Sequence, residues 1–462
     1  MIKNCNDQKF LDVNARNMYQ TEKNSLRSRF FLPTDIGPGQ EDSHMGKTDE
    51  ALYKERQKRV QDAIALKVPD RVPIWFQDAS FFPARYTGMT FREAMYDSDK
   101  IFAAYKKTFI DFEPDLFFNP GHALHTPGEA TDALDCRQVI MPGQGIPVDH
   151  SFQFVEAEYM KADEYDEFID DPTGFTISKF LPRVYGTMAP LANTPPVKGL
   201  LLGYFGTPLA AGFATPEVAG ALQSFYNAGL IIQKHQAKAD AFVKEMAGLG
   251  FPLACGAITL APFDLIGDTM RGLRGILMDM YRCPDKLLEA IDKVTPLMIG
   301  GAVGQAKESG CPGVFIPLHK GSDGFMSLEQ FATFYWPSLK KLILDLIDEG
   351  LTPCPFFEGI HTQRLEYYAD LPKGKMLGFF DSTDIFKAKE IIGGTMCMSG
   401  FMPLSLLQTG TPEKVKDYAK TLIDVVGKEG GFIMGPKSAM DEANPDLVKV
   451  WFEFTKEYGV YK

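Results

Sequence analysis

Cysteine pairs, uninterrupted apolar runs and blocks of positive charge are all missing from this 462-residue chain. Its seven cysteines are scattered, their number is odd, and no two are spaced as C-x-x-C. That excludes a disulfide framework and points to a reducing, cytoplasmic setting. The most apolar stretch, GLLLGYFGTPLAAGF (199–213), is broken by Gly, Thr and Pro and is too short to span a bilayer. The opening MIKNCNDQKF has no apolar core, so no secretory leader is expected there. The net charge is −12 and no long basic block occurs, which argues against a nucleic-acid partner.

What is present is apolar bulk: 45% hydrophobic residues, with 36 Phe and 20 Met. Residues 1–50 are polar and read as an irregular arm, of a kind that can wrap a neighbouring subunit in a homo-oligomer. From residue 51 to 462, short apolar runs alternate with stretches of helical period, which reads as one domain. Eight runs read as strands: 72–78, 115–120, 252–258, 313–319, 352–359, 374–381, 395–402 and 431–436. The helices between them have recognisable starts. Thr411-Pro412 and Thr215-Pro216 supply an N-cap followed by Pro, and Ser327 with Gln330 makes a capping box. Pro337 should kink or split its helix. Near-continuous apolar strands that each precede a helix predict an α/β fold, a (β/α)8 TIM barrel. About 130 residues separate the second and third strands, so a large insertion with lid or helical elements is expected over 121–250.

Chemistry in such a barrel gathers where the strands end. Strand one ends in Asp78, and strand two runs into Asn119, with His122 and His125 just beyond. Strand four ends in His319, strand five in Glu358 and strand six in Asp381; His361 follows Glu358 in CPFFEGIH. Each has a bland alternative: Asp381 can cap a helix, His319 can bond backbone, and His361 lies past the turn. His319, Glu358 and Asp381 would suit zinc with one open position, or serve as an acid/base set. No local motif such as H-E-x-x-H chooses between them. Phe76, Phe81, Phe82, Phe356, Phe357 and Phe380 could sandwich a flat ring, although half the residues of any strand must face away from the lumen.

The pieces RVQDAIALKVPDRVPIWF (59–76), GCPGVFIPLHKGSDGFMSLEQFATFYWP (310–337), LLQTGTPEKVKDYAKTLID (406–424) and GGFIMGPKSAMDEANPDLVK (430–449) resemble the uroporphyrinogen decarboxylase superfamily, which includes corrinoid-dependent methyltransferases. The thiol-methylating branch carries H-x-C-G at strand five and a later Cys, together holding zinc. Here Phe356 stands at the His position, Glu358 at the first Cys position and Ser438 near the second. The resemblance therefore implies an acceptor other than a thiol. The decarboxylases place an Arg-rich segment after strand one and an Asp after strand two. This chain has only Arg85 and Tyr86 of the former and Asn119 in place of the latter. Only Lys320, Lys437, Arg271 and Arg274 offer positive charge near the mouth.

The branch that fits best acts in O-demethylation. It implies transfer of a methyl group from a methoxylated aromatic donor to the Co(I) of a cobalamin carried on a separate corrinoid protein. Glu358, His319 and Asp381 would then be catalytic, and Asp78, Asn119, Phe356, Arg271 and His361 would bind substrate. Glu358 is expected to be a proton donor because desolvation at an apolar strand end raises a carboxyl pKa. The competing expectations are a methylcorrinoid:tetrahydrofolate methyltransferase, a decarboxylase of the uroporphyrinogen type, and a binding protein on a barrel that has lost catalysis.

Overall fold

The computed structural model describes residues 48–462 except 77–79 and 124–126. The arm expected over 1–50 lies outside the described residues up to Lys47, and its last residues already belong to a helix. That helix, α1 (Asp49–Ile64), is capped by Thr48, whose hydroxyl accepts from the Ala51 N–H.

Eight short parallel strands stand where the apolar runs predicted them: β1 (Trp75–Phe76), β2 (Leu116–Phe117), β3 (Ala257–Ile258), β4 (Gly313–Leu318), β5 (Thr352–Phe357), β6 (Leu377–Phe380), β7 (Cys397–Met402) and β8 (Phe432–Pro436). β3 to β8 form one parallel sheet in chain order, and β1 pairs with β2. Single-residue parallel bridges, Phe117 to Leu253 and Ile74 to Met434, join that pair to both edges of the sheet. The strands thus run in a ring, the arrangement of a (β/α)8 barrel. The predicted caps form at Thr215, Ser327 and Thr411. The helix that begins at Leu328 passes through a π-turn, Phe331–Tyr335, before Trp336–Asp348, with Pro337 in the first turn of the second piece.

Side-chain alternation divides the strands into two packed layers. Trp75, Leu116, Phe118, Cys354, Phe356, Leu377, Phe379, Cys397 and Ile433 form the lumen cluster. Their neighbours Phe76, Phe117, Val314, Phe357, Phe380 and Met434 pack outward against the helices. Val60 and Ala63 of α1 join the lumen cluster. The same helix is tied to the strands by charge. The fully buried Asp115 accepts from Arg59 at 2.6 Å, from both terminal nitrogens of Arg71 at 2.7 and 2.8 Å, and from the Ile74 N–H at 2.8 Å. Between β2 and β3 lie a small antiparallel ladder, Val139–Ile140 against Gln153–Phe154, and a 33-residue helix, α2 (Pro216–Gly248).

Candidate functional site

Continuing the inward alternation past each strand end brings three polar residues to one mouth. Phe315 and Pro317 lead to His319, Cys354 and Phe356 to Glu358, and Leu377 and Phe379 to Asp381. Below them is an aromatic layer. Phe315 lies 6.3 Å from Phe356 and 6.2 Å from Phe379, and Trp75 meets Phe379 edge-on at 4.2 Å between centroids. Of the six Phe named from the sequence, only Phe356 belongs to this layer. Phe76, Phe357 and Phe380 pack in the outer core, because one step along a strand reverses the face, and Phe81 and Phe82 pack there from the start of the short helix Phe82–Tyr86.

His319 is the best-held member. Its Nδ1 lies 2.5 Å from Asp268, and its Nε2 is 3.5 Å from Glu358 Oε1. Lys320 bonds Asp268 as well and reaches Glu156 at 2.9 Å. Under this chain sits Asp264, fully buried. It accepts from the backbone N–H of His319 (2.9 Å) and of Lys320 (3.0 Å) and from the Tyr335 hydroxyl (2.6 Å). Burial by itself would lower the pKa of His319. The Asp268 hydrogen bond, then Glu358 and Asp264, outweigh it and push the value up to about 11. Burial would raise Asp268, but His319 and Lys320 hold its carboxyl below the usual range. Burial and the neighbouring Asp268 push Asp264 up. The ring of His319 is therefore an imidazolium at neutral pH, with one N–H fixed by Asp268 and the other turned toward Glu358 and the mouth.

Asp381 accepts from the Gly359 N–H at 3.1 Å and from the Ser382 hydroxyl at 2.9 Å, which ties the ends of β5 and β6 together. Asn119 is almost fully buried and turns back onto the Gly121 N–H. Asp78 and His125 lie outside the described residues, as does the side chain of His122. Glu358 is 39% exposed, so it lacks the burial on which its expected role as proton donor rested.

Two further expectations are corrected. His361 does not face the mouth. It is fully buried, its Nε2 donates to the Glu358 carbonyl (3.1 Å), and its Nδ1 accepts from the Tyr368 hydroxyl (3.0 Å). Burial pushes its pKa down to about 3, so it is a neutral brace behind Glu358. Arg271 is buried too, engaged by Asp279 at 2.5 Å, by Glu158 at 3.0 Å and by the Met160 carbonyl, so it offers no charge to a substrate.

Four positioning groups have no counterpart among the residues marked by strand ends. Asp264 and Asp268 follow β3 as an i, i+4 acid pair, a spacing that is visible in the sequence. Arg364 is fully buried and donates to the carbonyls of Gly321, Ser322 and Met326, holding the loop after His319. Asp441 accepts from the Phe81 N–H (2.9 Å) and the Ser151 hydroxyl (2.6 Å), joining three segments that are far apart in the chain. Nothing local marks these last two.

The zinc set does not fit this geometry. Among the described residues no three His, Cys, Asp or Glu side chains are grouped to hold a metal ion. Among the described residues no helix is long and apolar enough to cross a membrane.

Fold and site together define a (β/α)8 barrel with an acid–imidazole cluster at the C-terminal ends of its strands, over an aromatic lumen. Residues 234–458 match the family model "Uroporphyrinogen decarboxylase (URO-D)". That match covers just under half of the chain and agrees with the resemblance of its motifs to the uroporphyrinogen decarboxylase superfamily. Among solved structures it is similar to a methyltransferase from Methanosarcina mazei, with a TM-score of 0.56 and 14% identity over 87% of this chain and 98% of that one. At that identity the likeness speaks for the fold. No curated protein matches the sequence.

Proposed function

We propose that this chain is a methyltransferase that removes the methyl group of a methoxylated aromatic molecule and passes it to the Co(I) of a cobalamin carried by a separate corrinoid protein. The observation that carries the reading is His319, held through Nδ1 by Asp268 at the strand end that follows Phe315 of the aromatic layer. In the transfer, the cobalt's electron pair forms a bond to the methyl carbon and the carbon–oxygen bond breaks. Its pair goes to the oxygen, which takes the proton from Nε2 of His319. A phenol has a pKa of about 10. Raised by Asp268 and Glu358, His319 keeps its proton at neutral pH and has it to give to that oxygen. Glu358, 3.5 Å from Nε2, is placed to return a proton to the ring from solvent.

A decarboxylase acting on a polycarboxylate is less well supported. Lys320 and Arg271 are both engaged by acidic neighbours. The test is to mix purified protein with a reduced corrinoid protein and a panel of methoxyarenes. The methylcobalamin spectrum should appear together with one equivalent of phenol. Turnover of tetrahydrofolate with methylcorrinoid, and none with ethers, would replace this reading with the folate methyltransferase.

A further inference from the structure

We infer that Lys437 binds a carboxylate on the methyl donor, which makes that donor a methoxybenzoate with its carboxylate meta or para to the methoxy group. The inference rests on the reading of this chain as an O-demethylating methyltransferase and names the substrate class of that same site. The alternation that brings His319, Glu358 and Asp381 to the mouth brings a fourth residue from β8. Ile433 belongs to the lumen cluster and Met434 to the outer core, so Gly435 and Lys437 continue the inward register. The strand is still paired at that point, because the Lys437 N–H donates to the Met402 carbonyl at 3.0 Å. Beyond it the loop is pinned by Asp441, and the Asn444 N–H donates to the Leu407 carbonyl at 2.8 Å. The lysine is therefore mounted on a rigid strand end rather than on a loose loop.

Lys437 differs from the other cations that the sequence puts near the mouth. Lys320 is held by Asp268 and Glu156, and Arg271 by Asp279 and Glu158. Arg274 lies exposed on the helix Gly272–Arg282. Lys437 is half-buried, and among the described residues its ammonium has no ion pair and no side-chain hydrogen bond. A half-buried charge without a partner favours an anion brought from outside, and one such cation suits one carboxylate. Its place in the ring says where on the donor that carboxylate sits. β4 and β8 are four strands apart either way round the ring of eight, so His319 and Lys437 stand on opposite sides of the mouth. A barrel of eight strands is wide enough to hold one small ligand. With the ether oxygen at His319, the far side of the aromatic ring meets Lys437. An ortho carboxylate would instead be carried toward Glu358, a like charge 3.5 Å from His319.

The test compares 4-methoxybenzoate with its neutral counterpart 4-methoxybenzyl alcohol, using the full chain and a reduced corrinoid protein. The acid should have a KM about 10- to 100-fold below that of the alcohol, the span of a charge-assisted hydrogen bond. That comparison needs no variant. Lys437→Met should abolish the preference by raising KM for the acid, and Lys437→Arg should keep it. The affinity of the acid, measured by calorimetry, should fall as salt is added. 3-Methoxybenzoate should be demethylated and 2-methoxybenzoate should not. Equal KM for acid and alcohol, a preference that survives Lys437→Met, or turnover of the ortho isomer as fast as the para one overturns the inference and leaves O-demethylation standing. No turnover of any methoxyarene overturns the reading beneath it, and the inference with it.

Discussion

Asp268 decides the charge of His319, and that can be read in a pH profile. The imidazole is raised above its ordinary 6.5, so the stability it contributes is fully present below that value and is lost as pH rises through about 11. Asp268→Asn keeps the shape and removes the charge. The rate of methyl transfer by this variant should fall with pH from near neutrality, where the unaltered protein holds its rate into the alkaline range; superimposable profiles would refute the assignment. His319→Ala should cost roughly 10²–10⁴ in rate. His361 runs the other way. Its folded pKa of about 3 lies below 6.5, so its contribution is present above 6.5 and is lost as pH falls toward 3. His361→Asn should lower stability at pH 7. It should also reduce by about one the protons taken up on unfolding near pH 5, measured from the slope of unfolding free energy against pH.

At the scale of the element, β7 holds the least comfortable backbone near the site. Gly400 has φ +103, and Phe401 beside it has φ +72, a region that bulky residues rarely adopt. The turn takes Phe401 out of the lumen and onto the stack of Phe357 and Phe380, with centroids 4.4 and 5.4 Å apart along the stack. A Cβ on Gly400 would come within 2.4 Å of the Phe380 carbonyl oxygen, next to the strand end that presents Asp381. Gly400→Ala should therefore lower the unfolding free energy by roughly 2–4 kcal/mol, measured by urea titration. This device is invisible in TMCMSGFM, where Gly reads only as a weak spot in an apolar run. The strands themselves are legible, because a short run buried on both faces and followed by a helix fits little besides a parallel strand. The face each residue takes is not, and the pairing of Phe356 with Phe379 needs the pleat. His319, Glu358 and Asp381 can be found because strand ends are marked in the sequence by the first polar residue after an apolar run. Asp268 and Asp441 act on partners 51 and 360 residues away, a distance no spacing rule covers.

In the whole molecule the barrel closes between its first strand and its last. Among the described residues the backbones meet there through the Ile74 to Met434 bridge and the bond from the Met434 N–H to the Pro73 carbonyl. Some 360 residues separate the two sides of this seam. At about 5–20 residues per second, β1 leaves the ribosome roughly 20–70 s before its partner exists. For that interval one of its edges has no strand to pair with, and the aromatic lumen has no wall on that side. Closure of the barrel waits for the arrival of β8, so truncations that spare His319, Glu358 and Asp381 but remove β8 leave a sheet with an open edge, a substrate for chaperones and for aggregation rather than a smaller enzyme.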